Sequence, residues 1–325
     1  MSAPDVFDQL FNRILDISAI VHIPLKLFSM YIVLNYSPKY MDSLPICILN
    51  VMFWNFVANL MGSLLHINPQ FPEQCYRADG PIGAVTKNEQ IYHAFHAGLF
   101  ICILNCALGL SFAFPYRYLL FAHPKLMSRF KLRWGVGICV AIYAIFSALF
   151  SYMYTYYMVT YDEYFDGHGP SPHDAVFCNW SHGWRKNMYL IGFFTVISVS
   201  YAVVNLFAFL LWRHLNDLTN MFSTQTIEVH HKFLRYLLIN TAVPLIFGGI
   251  PLLICLFFSL FPHISYSREV TMIGIVILYN HGAIYSTVSI ATFKPYHNAA
   301  KSIMRRYLRL GRAKVRTVAK KVPTQ

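Results

Sequence analysis

Long apolar runs separated by short polar segments set the rhythm of this chain. Seven runs have spanning length, at about residues 14–35, 43–66, 91–116, 134–157, 187–212, 236–261 and 270–292. A helix crosses the hydrocarbon core of a bilayer in about 20 apolar residues, and only backbone that satisfies its own hydrogen bonds is stable there. The pattern predicts an all-α membrane protein, a seven-transmembrane helix bundle. The third run defines the frame most sharply. Residues 91–114 hold no Asp, Glu, Lys or Arg, whereas residues 115–134 carry Arg117, Lys125, Arg129, Lys131 and Arg133 and no carboxylate.

Basic residues in short loops mark the cytoplasmic side of a membrane protein. With the amino terminus outside, 19 cations fall on cytoplasmic segments and six on exterior ones. The acids are distributed the other way. The third helix is therefore expected to run from outside to inside, with Arg117 at its cytoplasmic mouth. The chain divides into an extracellular segment (1–13), a seven-helix domain (14–292) and a basic cytoplasmic tail (293–325). The first 13 residues lack a basic n-region and a small-residue cleavage site, so an uncleaved signal anchor is expected. Ten of the 26 cations follow Thr292, and no acid follows Glu269. This suits anionic membrane lipid or an acidic partner rather than nucleic acid. In the tail, Ile303, Met304, Tyr307 and Leu308 share one helical face, bordered or opposed by Lys301, Arg305, Arg306, Arg309 and Arg312. Such a cationic amphipathic helix lies in the headgroup plane. No cysteine in the tail offers a site for an acyl anchor.

Composition agrees. The chain is 56% hydrophobic and 12% charged, about half the charged share of a soluble domain. Its mean hydropathy is +0.45. Of seven cysteines, Cys47, Cys102, Cys106, Cys139 and Cys255 fall within predicted helices. Cys75 and Cys178 fall in outer loops, where an oxidising compartment favours a disulfide. The first of these loops, rich in proline and glycine, is expected to form turns rather than a strand. Asn179-Trp180-Ser181 is a glycosylation sequon beside Cys178. Asn35-Tyr36-Ser37 also matches, but on the cytoplasmic edge. In the sixth run Pro244 and Pro251 bracket Gly248-Gly249, which implies a kink, either a static bend or a hinge.

Candidate chemistry is sparse. Lys26 sits within the first run, where an ionisable group needs a polar neighbour or a water-filled cavity. A retinal protein would carry its Schiff-base lysine in the seventh helix, and residues 270–292 contain none. His93 and His96, at i and i+3, share a helical face. They read either as ligand or metal groups, or as hydrogen-bonded histidines in a vestibule. His214, His230 and His231 lack the further histidine boxes and carboxylates of a membrane di-iron enzyme. No G-x-S-x-G and no P-loop is present. Neither an enzyme nor a metal or other cofactor is expected. A small-solute transporter is the alternative class, but the two halves share no visible repeat, and the only carboxylate within a run is Asp16, near its outer edge.

One resemblance narrows the reading. Ile23-Pro24, Tyr31, Ser37-Pro38-Lys39, Met41, and Leu49-Asn50 before Phe53-Trp54 resemble the opening of nematode serpentine chemoreceptors, the Srh group and its Str, Sri and Srd relatives. Arg117-Tyr118-Leu119-Leu120-Phe121 and the seventh-helix stretch at 280–296 are similar to the Srh pattern too. The resemblance implies a G-protein-coupled chemoreceptor in the plasma membrane of a sensory neuron, on its cilium. It would bind an external small molecule and activate a heterotrimeric G protein. The ligand-binding candidates are His93, His96, Phe100, Asn280 and His281; the coupling candidates are Arg117 and Tyr118. An aromatic share of 17% suits an apolar, volatile ligand and equally suits lipid contact. No acid precedes Arg117, where the chain reads Pro115-Tyr116-Arg117-Tyr118. Tyr279-Asn280-His281-Gly282 stands where rhodopsin-like receptors carry Asn-Pro-x-x-Tyr.

Overall fold

Seven helices of the computed structural model are long and apolar enough to cross a membrane. The structure describes residues 6–38, 44–123, 125, 127, 132–166, 175–217, 236, 238, 239 and 241–319. The spans are α1 (Val6–Tyr36), α2 (Leu44–Leu65), α3 (Glu89–Ala122), α4 (Leu132–Tyr157), α5 (Trp184–Asp217), α6 (Thr241–Leu260) and α7 (Ser267–Thr292). An eighth helix, α8 (Lys294–Ala319), follows α7 after Phe293 alone. Arg129, Lys131, His230 and His231 lie outside the described residues, as do the side chains of Tyr307, Leu308, Arg309 and Arg312.

At 1.5 Å per residue the 34 residues of α3 reach about 50 Å, well past a hydrocarbon core of about 30 Å. Asn88 caps its start by accepting the Gln90 N–H. The helix is the axis of the bundle: 56% of its apolar window is buried, against 6% for α4. The α4 helix turns most of its side chains outward and meets the core through Phe150, Tyr154 and Tyr157. At the far end from the loops, Ile32, Val51, Phe114, Tyr285 and Tyr296 form a second cluster. Tyr296 of α8 is fully buried there, and its hydroxyl bonds Ser37 at 2.7 Å. On α8, Lys301, Arg305 and Arg306 are exposed, Ile303 is half-buried and Met304 is exposed.

The other end of the bundle is capped by a small antiparallel sheet, ordered β1-β2-β4-β3. Its strands are β1 (Ile67–Gln70), β2 (Cys75–Ala78), β3 (Met158–Val159) and β4 (Val176–Asn179). The expectation of turns in the first loop is therefore corrected. Proline and glycine report local turn preference, whereas β2 is set by pairing with β4 far along the chain. Cys75 and Cys178 are direct cross-strand neighbours and form a disulfide. Phe177 stacks on Tyr76 at 5.5 Å, and both are buried. A second point concerns Asn179 of the sequon. Its side chain is fully buried at the end of β4.

A third difference is the start of α1, at Val6 instead of residue 14. The extra turns carry Asp8 and Asn12, which look extramembranous by composition but are tied into the sheet. Asp8, only 3% exposed, accepts hydrogen bonds from Arg77 of β2 (2.9 Å) and from Arg268 of α7. Arg268 also donates to the Pro69 carbonyl at 3.0 Å, and Arg77 to both oxygens of Asp79. Asn12 and Asn68 each donate to Asp79 at 3.0 Å. Burial alone would raise the Asp79 carboxyl. The bonds from Arg77, Asn12 and Asn68, with the charge of Arg77, outweigh it and hold the group below its ordinary value.

Two outcomes follow from this clamp. Asp8→Asn strips a carboxylate from between two guanidinium groups and is expected to cost about 2–4 kcal/mol, read as a lower midpoint of thermal unfolding in nanodiscs. A lowered carboxyl contributes stability above its unfolded pKa of about 4 and loses it as pH falls through the folded value. Unfolding midpoints should therefore be level above about pH 5 and drop below about pH 4, with a shallower drop in Asp79→Asn. An unchanged acid limb in that variant would remove Asp79 from the account.

Candidate functional site

A cavity of about 130 Å³ lies inside the bundle beneath the sheet. Its walls come from α2, α3, α5, α6 and α7, and Ile67 and Tyr76 of the sheet close it from above. Most of the lining is apolar: Leu99, Phe100, Ile103 and Leu110 of α3 face Leu252 and Leu256 of α6 and Ile275 and Leu278 of α7. Burial pushes the Tyr76 phenol up to about 12, which keeps it neutral.

Polar groups enter the cavity at few points. Asn55 and Asn59 line it from α2, one turn apart. The Asn55 amide meets His281 Nε2 at 2.7 Å, while His281 Nδ1 meets the Leu278 carbonyl at 2.5 Å. A carbonyl only accepts, so Nδ1 holds the hydrogen and Nε2 accepts from Asn55. Asn59 donates to the Tyr279 carbonyl. Behind this layer, Lys26 of α1 is 2% exposed and donates to the Asn55 backbone carbonyl at 3.3 Å. The polar neighbour that an intramembrane lysine requires is thus a carbonyl. The same place explains Gly282 of α7. A Cβ there would stand 1.8 Å from Asn55 Oδ1 and 2.5 Å from Lys26 Nζ, so glycine lets α1, α2 and α7 converge. Two lining hydroxyls, Thr271 and Tyr279, are buried without a hydrogen-bond partner among the described residues.

The structure brings three of the five expected ligand residues to the cavity and leaves two elsewhere. His96, Phe100 and His281 line it. Asn280 turns toward α1 and donates to Ser18 at 3.1 Å and to the Val276 carbonyl. His93 lines a different cavity, between α3, α4 and α5. The two α3 histidines nevertheless share one neighbour, since His93 Nδ1 and His96 Nδ1 lie 3.0 and 2.9 Å from the Tyr154 hydroxyl. Among the described residues no three His, Cys, Asp or Glu side chains gather as metal ligands. Residues not singled out from sequence are Asn55, Asn59, Thr271 and Tyr279. Asn55 and Asn59 did leave a signal, two amides four apart in an apolar run.

Pro244 opens a π-helical segment, Pro244–Gly249, and Pro251 follows it. A proline removes a backbone donor, and a wider turn is one way a helix absorbs the loss. Pro244 and Gly248 line the cavity. The His281 ring lies against Gly248 and the Tyr201 ring against Gly249, where a Cβ would meet them at 3.2 and 2.6 Å.

At the end of the bundle away from the sheet, Arg117 is 4% exposed, so it faces protein rather than a headgroup layer. It lies more than a turn before α3 ends at Ala122, and that end falls about a turn and a half beyond the expected boundary at 116. Tyr118 packs edge-on against Phe207 and His214 of α5, at 5.7 and 6.3 Å.

The family model described as Serpentine type 7TM GPCR chemoreceptor Srh matches residues 7–306, nearly the whole described bundle. No curated protein matches the chain.

The close approach at Gly282 sets a test of the polar layer. Gly282→Ala should destabilise the fold by about 1–3 kcal/mol through overpacking. Gly137→Ala, where nothing lies within 4 Å of the added carbon, should be neutral or slightly stabilising. Equal midpoints of thermal unfolding for the two variants would mean that α1, α2 and α7 do not converge at Gly282.

Proposed function

Because the chain belongs to the Srh family of serpentine seven-transmembrane chemoreceptors, we propose that its central cavity binds a small external chemical and that binding activates a heterotrimeric G protein on the opposite face. The family is a receptor family, and seven spans make the protein a multi-pass membrane protein. In this reading the sheet end faces outward, in keeping with the distribution of basic residues and with the disulfide. The cell is a sensory neuron, with the receptor on its cilium.

The observation that carries the reading is the position of the cavity. It lies within the bundle, is mostly apolar and is bordered by the π segment of α6. Ligand sites commonly have this character, apolar walls with a few placed polar groups. His96, Thr271, Tyr279 and the Asn55–His281 pair are those groups here. They suit a compact apolar molecule with one or two hydrogen-bonding atoms. A ligand shifts a conformational equilibrium only by binding one state better than the other. Walls on α3, α6 and α7 let it do so by favouring one setting of α6 about Pro244 and Pro251. Arg117 and Tyr118, at the far end of α3, become the coupling surface once α6 moves out. Five donors in a planar fork suit the carbonyls at the end of a G-protein helix.

Calcium imaging of cells expressing the chain against an odorant panel tests the reading. At least one small apolar compound should evoke a response. Ala107→Leu, which places bulk in the cavity, should abolish that response at matched surface density. Arg117→Lys should keep ligand binding and lose most nucleotide exchange, because the ammonium lacks the fork; full signalling by this variant would sink the coupling role.

The basic α8 is proposed to rest on anionic lipid, held by about 1 kcal/mol per cation near the surface. A peptide covering residues 295–321 should bind phosphatidylserine vesicles and release as salt rises. Equal binding to neutral vesicles would assign the anchoring to its apolar face instead.

A further inference from the structure

A second cavity, of about 300 Å³, lies between the start of α3, the end of α4 and the start of α5, beside β3. It shares no lining residue with the central cavity. Its lining includes Glu89 and His93, one helical turn apart on α3. Glu89 Oε2 accepts the Tyr161 N–H at 3.1 Å, which fixes the carboxylate. The other oxygen, Oε1, faces His93 Nε2 at 3.5 Å. That is beyond a normal N–H···O bond, and neither atom has a hydrogen-bond partner among the described residues. His93 is only 5% exposed. Buried polar atoms are nearly always satisfied, so an acceptor pair left open beside a cavity marks a place for a donor.

The charges at the cavity give the sign of that donor. Its lining carries two carboxylates, Glu89 and Glu163, and one cation, Arg185, whose guanidinium lies 4.8 Å over the Trp180 ring. The balance is negative, and Tyr156 and Trp180 add aromatic surface. We propose that this cavity is a second binding site and takes a small organic ammonium ion, which donates to Glu89 Oε1 and His93 Nε2 together. A carboxylate ligand would meet like charge, and a neutral alcohol would leave the carboxylate without its counterion. The site stands on its own geometry and does not depend on what the central cavity binds.

His93 can supply the acceptor because of the Tyr154 bridge. With both imidazoles neutral, the one hydroxyl hydrogen of Tyr154 reaches only one of the two Nδ1 atoms, and the other Nδ1 must donate to the hydroxyl oxygen. An ammonium at His93 Nε2 selects the form in which His93 Nδ1 donates to Tyr154 and Tyr154 donates to His96 Nδ1. His96, which lines the central cavity, then carries its hydrogen on Nε2. Filling the second site thus presents a hydrogen-bond donor to the first.

Isothermal titration of the full chain in nanodiscs at neutral pH, with benzylamine as the cationic probe and benzyl alcohol as its neutral counterpart, tests the proposal. Saturable binding of the ammonium is expected, at least about tenfold tighter than the alcohol, as befits a charge-assisted bond. Glu89→Gln keeps an acceptor for the Tyr161 N–H and should weaken the ammonium by about tenfold. Glu163→Gln, on the exposed rim, should cause a smaller loss in the same direction, and it decides the matter if Glu89→Gln does not fold. Ala107→Leu should leave the affinity unchanged. No saturable binding, equal affinity for the alcohol, unchanged affinity in both Glu variants, or loss of binding in Ala107→Leu would each overturn the assignment.

Discussion

Helices in a bilayer gain little from burying apolar faces against one another, because lipid is as apolar as leucine. What lipid does not tolerate is a polar group without a partner. That constraint decides the arrangement of α1, α2 and α7. Lys26 has no carboxylate within ion-pair reach among the described residues, and its ammonium is met by the Asn55 carbonyl. The Asn55 side chain is occupied by His281, and His281 by the Leu278 carbonyl. Each group in this line needs the next. Gly282 permits the approach, since any side chain there would push the three helices apart. The floor of the central cavity is therefore as much a device for holding helices together as a set of ligand groups.

The same requirement shapes the sheet end with charges instead of amides. Asp8, Arg77, Asp79 and Arg268 belong to α1, the sheet end and the start of α7, and their hydrogen bonds tie these three together. Two guanidinium groups on one buried carboxylate form a joint that tolerates little movement. The disulfide adds the second fixed point, tying β2 to β4 and hence the α2–α3 connection to the α4–α5 connection. With the sheet fixed at both places, Ile67 and Tyr76 become a stationary roof, and conformational freedom is left to the walls. Lys186 adds a strut on the other flank, since its ammonium donates to the Leu260 carbonyl at the end of α6.

The spans were legible because length and hydropathy are properties of contiguous residues. Six of seven began within about a turn and a half of the expected position; α1 did not, because Asp8 and Asn12 look like solvated residues until their partners are known. Those partners stand as far as 260 positions away. The sheet was illegible for the same reason: Cys75 pairs with Cys178 across the fold, and nothing in the neighbourhood of either specifies a strand. The disulfide was readable by contrast, since it needed only the count of cysteines outside the helices. Within the cavity, His96, Phe100 and His281 could be placed by helical phase from the outer end. Asn280 could not, because one residue of rotation on α7 separates the cavity from the α1 interface. Asn55 and Asn59 were visible as amides in an apolar run, but an amide there has two uses, ligand contact and helix contact, and the Asn55 amide serves the second through His281.

That double use bears on how α6 can move. Its π segment is wedged from two sides, by the His281 ring at Gly248 and the Tyr201 ring at Gly249. Proline and glycine supply the local freedom, but they do not alone set the angle. The His281 and Tyr201 rings, which lie against the two glycines, bear on that angle as well. Tyr201 has α5 behind it, whereas His281 has one bond to another helix, from Asn55, and a second within α7, from Nδ1 to the Leu278 carbonyl. A ligand that competes for the Asn55 amide, or for Nε2 of His281, weakens the hold on that ring and on nothing else in the wall. In the proposed reading this makes His281 the element through which cavity occupancy reaches α6.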